Sequence, residues 1–226
     1  ANLSAGVAAA INLSPVAQSF SGNYKLRFDM WINANGPFPL GGVGSSQFIT
    51  AGVGTTGGKV QWTGAGTTAD GVWFAVDGEG QAGDTSTTSD FNAYAGTALQ
   101  ATTTGVYAAG TASNARGNLH PYYATEFPGG QTAPALQQAN YAQQTGALEA
   151  GTVGFVWRQV LINKEGNVVE WYIDDFKIAA LTNAPLAGNN IFIGYWDPFT
   201  SLSDNTALSF GLVDNVRVEV PAVVPN

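Results

Sequence analysis

The sequence predicts an all-β fold, an antiparallel two-sheet sandwich with one short helix. Three observations carry it. Tyr24–Asn33 alternates strictly, with Tyr24, Leu26, Phe28, Met30 and Ile32 on one face and Lys25, Arg27, Asp29, Trp31 and Asn33 on the other. A period of two over that length marks a strand with one buried face. The other apolar runs are short, and 29 glycines among 226 residues imply many turns rather than long helices. Helical character is confined to one Ala/Gln-rich segment, 135–144.

The elements follow in chain order. Asn35-Gly36-Pro37-Phe38-Pro39 breaks the first clear strand. Strands are expected at 47–53, 59–62 and 72–77, with Gly/Thr-rich turns between them. Residues 77–90 read as an acidic, Ser/Thr-rich loop. Short strands at 91–94 and 105–108 precede a long irregular stretch, 112–130. The helix over 135–144 takes Thr132 as its cap and Pro134 in its first turn. Residues 153–163 and 167–174 form a hairpin across Lys164-Glu165-Gly166-Asn167, and strands follow at 176–181, 190–196 and 207–220. No internal repeat or boundary divides residues 1–220, so one domain is expected, with 221–226 as a Val/Pro linker.

Charge and composition narrow the function. Hydrophobic residues at 45% exclude a disordered chain. Charged residues make up only 11%, so solubility rests largely on Thr, Ser, Asn and Gln. A net charge of −8 with eight Lys plus Arg makes nucleic acid and anionic membranes poor partners. No apolar run reaches the roughly 18 residues of a membrane helix, so no membrane insertion is expected. The absence of cysteine removes disulfides, thiolate zinc sites and thiol nucleophiles together.

Trp157-Arg158-Gln159-Val160 and Gly166-Asn167-Val168-Val169-Glu170-Trp171-Tyr172-Ile173-Asp174-Asp175 resemble a strand pair of the concanavalin A-like and laminin G-like jelly rolls. In that superfamily a W-x-x-V strand is followed by one ending Y-V-D-G; here Asp175 stands in place of the glycine. Asn190-Ile191-Phe192-Ile193-Gly194-Tyr195 resembles the next strand. The resemblance implies a jelly-roll sandwich, a fold that hosts lectins, glycanases, lyases and adhesion modules. Val213-Asp214-Asn215-Val216-Arg217-Val218, with the Val/Pro ending, resembles secreted bacterial proteins sorted by a PEP-CTERM signal, which implies an extracellular or cell-surface location. Asn2-Leu3-Ser4 has the form of a glycosylation sequon.

Oxygen-rich acidic loops suit Ca²⁺. The candidate ligands are Asp77 and Glu79, with Asp84 and Asp90 in the same loop, then Asp197 and Asp204 beside Asn205. Asp214 shares parity with Leu212, Val216 and Val218, so it points into the apolar layer unless a bulge at Gly211 shifts the register. A solvated, turn-forming role is the alternative for the loop carboxylates, and an inward Asp held by backbone N–H groups is the alternative for Asp214. The superfamily resemblance also implies a calcium ion. Aromatic faces stack on sugar rings, and Trp31, Trp73, Tyr122 and Tyr123 are the candidates for such a surface; the alternative for each is the core.

Catalytic sets are sparse. His120 is the single histidine, and no G-x-S-x-G accompanies it. Only Asp77-Gly78-Glu79 approaches the carboxylate pattern of retaining jelly-roll glycanases, and no Gln-x-His strand of the alginate-lyase type occurs. The expected function is therefore a non-catalytic module that binds a polysaccharide or glycan. The alternative is a structural subunit that associates with copies of itself through β edges, or by donating the segment 5–16 as a strand, a segment that otherwise reads as a simple first strand of the same domain. A polysaccharide-active enzyme ranks third.

Overall fold

The computed structural model describes residues 8–63, 66–80 and 90–221. Eleven strands form among them: β1 Ala9–Leu13, β2 Tyr24–Asn33, β3 Phe48–Thr55, β4 Val72–Asp77, β5 Phe91–Ala95, β6 Ala98–Leu99, β7 Arg158–Glu165, β8 Val168–Ile173, β9 Phe176–Leu181, β10 Asn190–Asp197 and β11 Phe210–Glu219. They make a six-stranded sheet, β1-β10-β3-β4-β5-β6, and a five-stranded sheet, β11-β2-β7-β8-β9. Every pairing is antiparallel, and the sheets pack face to face as a jelly-roll sandwich. The linker residues 222–226, the sequon at 2–4 and Asp84 lie outside the described residues.

The alternation in β2 explains the layer. Tyr24, Leu26, Phe28, Met30 and Ile32 are buried and face Ile49, Ala51, Phe74 and Val76 of the opposite sheet. Trp171 of β8 sits at the centre, stacked on Phe74 with ring centroids 5.0 Å apart. Asp174 and Asp175 both take positive φ, 52° and 62°, in the turn where the resemblance implies a glycine. Asp174 secures that turn by accepting from the Gln159 N–H and from Arg158, each at 2.8 Å.

β3 and β4 are buried on both faces. On the outer side of the six-stranded sheet, Phe48, Trp73, Ala75, Tyr94, Phe192 and Trp196 form a second apolar cluster. This cluster overturns the strand expected at 59–62. That segment has no strand structure; Trp62 packs on the outer cluster, and Gln61 is tied to Asp70 by 2.7 and 3.1 Å hydrogen bonds.

Three other expectations change. Residues 105–108 contribute only one bridge, Tyr107 to Ala179. Among the described residues there are two short α-helices rather than one, α1 Pro121–Glu126 inside the stretch read as irregular and α2 Ala135–Asn140. In α1 His120 is the N-cap, its Nδ1 accepting from the Tyr122 N–H, with Pro121 in the first turn. Thr132 does not cap α2, whose N-cap is Pro134. Within the segment 5–16, residues 9–13 pair with β10 of the same chain, Ile11 opposite Tyr195, as a first strand of the same domain would.

Candidate functional site

One end of the six-stranded sheet brings together Asp77, Glu79 and Asp197 of the acidic candidates. Phe48 pairs with both Trp196 and Asp77, so Asp77 and Asp197 end the strands on either side of β3. Gln47, just before β3, donates to Asp197 Oδ2 at 3.4 Å. Glu79 lies two residues beyond β4 and is 1% exposed; Asp77 is 7% exposed. Ser45 and Ser46 donate to Glu79 Oε1. Its Oε2 has no hydrogen-bond partner among the described residues. Gly41, at φ 73°, makes this packing possible, because a Cβ there would collide with the Glu79 carboxyl.

Burial dominates the electrostatics of these carboxyls. Desolvation pushes Glu79 up to about 8 against two lowering serine hydrogen bonds, and the charge of Asp90 adds to the rise. Desolvation, then the charge of Glu79, raises Asp77 well above the usual carboxylate range. The Tyr195 phenol is raised by burial and then by Asp77, Asp197 and Glu79. For Asp77 and Glu79 burial thus favours the protonated form.

The five expected calcium ligands do not form one centre. Among the described residues, no three acidic side chains converge closely enough to share a metal ion. Asp204 is exposed and accepts from Asn35 Nδ2. Asp214 lies on the other sheet and is exposed, which corrects the inward orientation expected for it. The bulge that decides this falls between Asp214 and Arg217, at Asn215 (φ 52°) and Val216, rather than at Gly211. The extra residue reverses the parity, placing Asp214 outward beside Asp29 while Val218 pairs with inward Leu26.

Three of the four aromatic candidates serve packing. Trp73 is 0% exposed, stacks on Tyr94 at 3.9 Å and donates from Nε1 to Gly96 O at 2.7 Å. Tyr123 is also 0% exposed, stacks on Phe91 at 4.1 Å and donates its hydroxyl to Ala115 O at 3.0 Å. Tyr122 is half-buried, leans on Phe176 and donates to Lys177 O at 2.8 Å. Both tyrosines anchor α1 to the sandwich, so neither they nor Trp73 forms an open sugar platform. Parity alone could not show this, because the outer face of β4 is covered.

Trp31 is half-exposed on the outer side of the five-stranded sheet. The sequence reading missed its neighbour, Trp157, which is 47% exposed with its ring centroid 6.1 Å from that of Trp31. Phe155 backs Trp31 at 6.5 Å, and Leu212 pairs with it across β11. Below the indoles, Asp29 pairs with Gln159 and Asp214, and Asn215 Nδ2 donates to Asp29 Oδ2 at 2.6 Å. Trp157 was visible only as part of the W-x-x-V motif. The Met30–Arg158 register is what brings it alongside Trp31. The result is an apolar ring surface bordered by amides and carboxylates.

No protein-family model matches the chain, and no curated protein matches it. Among solved structures, it is similar to the carbohydrate-binding module CBM66 from Bacillus subtilis, with TM-score 0.42 and 11% identity over 90% of this chain and 78% of that one. It is also similar to the Caenorhabditis elegans galectin LEC-6, with TM-score 0.35 and 10% identity over 82% and 85% of the two chains. The Bacillus licheniformis β-glucanase gives TM-score 0.35 and 13% identity over 92% of this chain and 75% of its own.

Proposed function

We propose that this chain is a non-catalytic carbohydrate-binding module of a secreted protein, and that its glycan lies on the outer face of the five-stranded sheet. The Trp31–Trp157 pair carries the reading. Large aromatic rings left half in solvent offer stacking surface for pyranose C–H groups. Asp29, Gln159 and Asn215 beside them are placed to bond hydroxyls. His120 is used as a helix cap, in keeping with a binding role.

Replacing an aromatic anchor with Ala costs on the order of 2 kcal/mol, about thirtyfold in affinity. Trp157→Ala is therefore expected to weaken binding about thirtyfold in calorimetric titrations with soluble polysaccharides, while far-ultraviolet circular dichroism stays unchanged. Equal affinity in the variant, or no glycan bound at millimolar concentration, would sink the reading.

The sheet edges favour a second reading, association of copies. Among the described residues, β1 and β11 are edge strands of their sheets, and both line one groove. Between them runs an apolar groove of about 610 Å³ lined by Ile11, Leu13, Ile193, Leu212, Val213 and Val216. Leu13 is 71% exposed, and β1 carries no charge to oppose pairing with another strand. Sedimentation should show concentration-dependent dimers that Leu13→Lys abolishes. A wild-type chain that stays monomeric at high concentration would exclude this reading.

A further inference from the structure

The outer face of the five-stranded sheet continues well beyond the tryptophans. Lys25, Arg27, Asp29 and Trp31 mark its length along β2, and Asn163, Leu161 and Gln159 run beside them on β7. At the end away from Trp31, a second cleft of about 280 Å³ opens, lined by Asn23, Lys25, Asn163, Glu165 and Glu219. Lys25 and Trp31 are six positions apart on one strand. At roughly 3.3 Å per residue this sets the cleft about 20 Å from the tryptophan pair. Among the described residues, α2 meets this face at Asn33, on the side of Trp31 away from the cleft, where Gln137 Nε2 donates to Asn33 Oδ1 at 3.0 Å, and α1 packs beside β9 through Tyr122 and Lys177.

Most charges of the face are paired with one another; Lys25, exposed in the cleft, has no ion pair among the described residues and stands beside Glu165 and Glu219. Arg27 and Arg217 hold Glu219 at 3.1 and 2.9 Å, and Lys177 holds Glu170 at 2.6 Å. Asp29 is engaged by Asn215. A polyanionic glycan would meet Lys25 flanked by the Glu165 and Glu219 carboxylates and would have to break the pairs of Arg27, Arg217 and Lys177 to gain those cations, whereas hydroxyls can bond to the remaining lone pairs and amide groups without separating any pair.

We infer that the ligand is an extended, uncharged polysaccharide chain lying along β2 and β7, with one sugar stacked at Trp31 and Trp157 and another, several rings away, seated in the Asn23–Lys25–Asn163 cleft. This rests on the proposed carbohydrate-binding function and adds the length and charge class of the ligand. Its test is a titration series of cello-, laminari- and xylo-oligosaccharides of two to six residues, with oligogalacturonides as the charged comparison. Affinity for at least one neutral series is expected to rise about tenfold or more between disaccharide and hexasaccharide. Lys25→Ala/Asn163→Ala should bring hexasaccharide affinity down to that of the disaccharide. Neutral disaccharides and hexasaccharides binding alike, or tighter binding of oligogalacturonides, would overturn the inference while leaving carbohydrate binding in place. If no series binds and Trp157→Ala changes nothing, the underlying reading falls with it.

Discussion

Glu79→Gln is expected to raise stability above pH 8 and to flatten its dependence on pH between about 4.5 and 8. The wild-type carboxyl titrates near 4.5 when exposed and near 8 in the folded chain. The folded state therefore holds a proton that the unfolded state releases. Stability from this group is fully present below 4.5 and is lost as pH rises through 8. Each unit of difference corresponds to about 1.4 kcal/mol, so the loss amounts to a few kcal/mol across the window. Asp77 shifts in the same direction and deepens the effect. Gln keeps an acceptor for Ser45 and Ser46 and places an uncharged amide where Oε2 is buried without a partner. Urea unfolding at pH 5, 7 and 9 measures both effects. A wild-type chain as stable at pH 9 as at pH 5 would contradict the assignment of Glu79 as a proton-retaining acid.

Trp171→Ala should be among the most damaging single changes. The indole is buried between the sheets, stacks on Phe74 and lies 6.2 Å from Phe91. Removing a core Trp costs roughly 3–5 kcal/mol through lost transfer energy and the cavity left behind. At roughly 2–4 °C per kcal/mol for a chain of this size, Tm should fall by about 10 °C. Trp157→Ala removes the same side chain from the surface and should move Tm by only about 1–2 °C. Scanning calorimetry of the two variants distinguishes core from surface tryptophan; equal Tm losses would contradict the packing described here.

The contrast between these tryptophans shows where local sequence signals succeed. Alternation identified Tyr24–Asn33 with its buried face, because side chains of a strand alternate whatever it pairs with. The same rule misjudged Trp73, since an alternating face is exposed only if nothing covers it, and the outer cluster covers β4. It misjudged Asp214 because one bulge reverses every later residue. The cap of α1 was present as His120-Pro121, but a His cap is a weak signal beside Ser, Thr, Asp or Asn.

The sequence by itself determined the all-β class, the strand faces where no bulge intervenes and the scarcity of catalytic groups, because each follows from local periodicity or composition. Only the tertiary structure decided that Trp157 stands beside Trp31, that Glu79 is buried among serines, and that the acidic residues divide between two sheets. Those are facts of register and coverage between segments far apart in the chain. Their energies arise only when the sheets close and water leaves, so no local pattern records them.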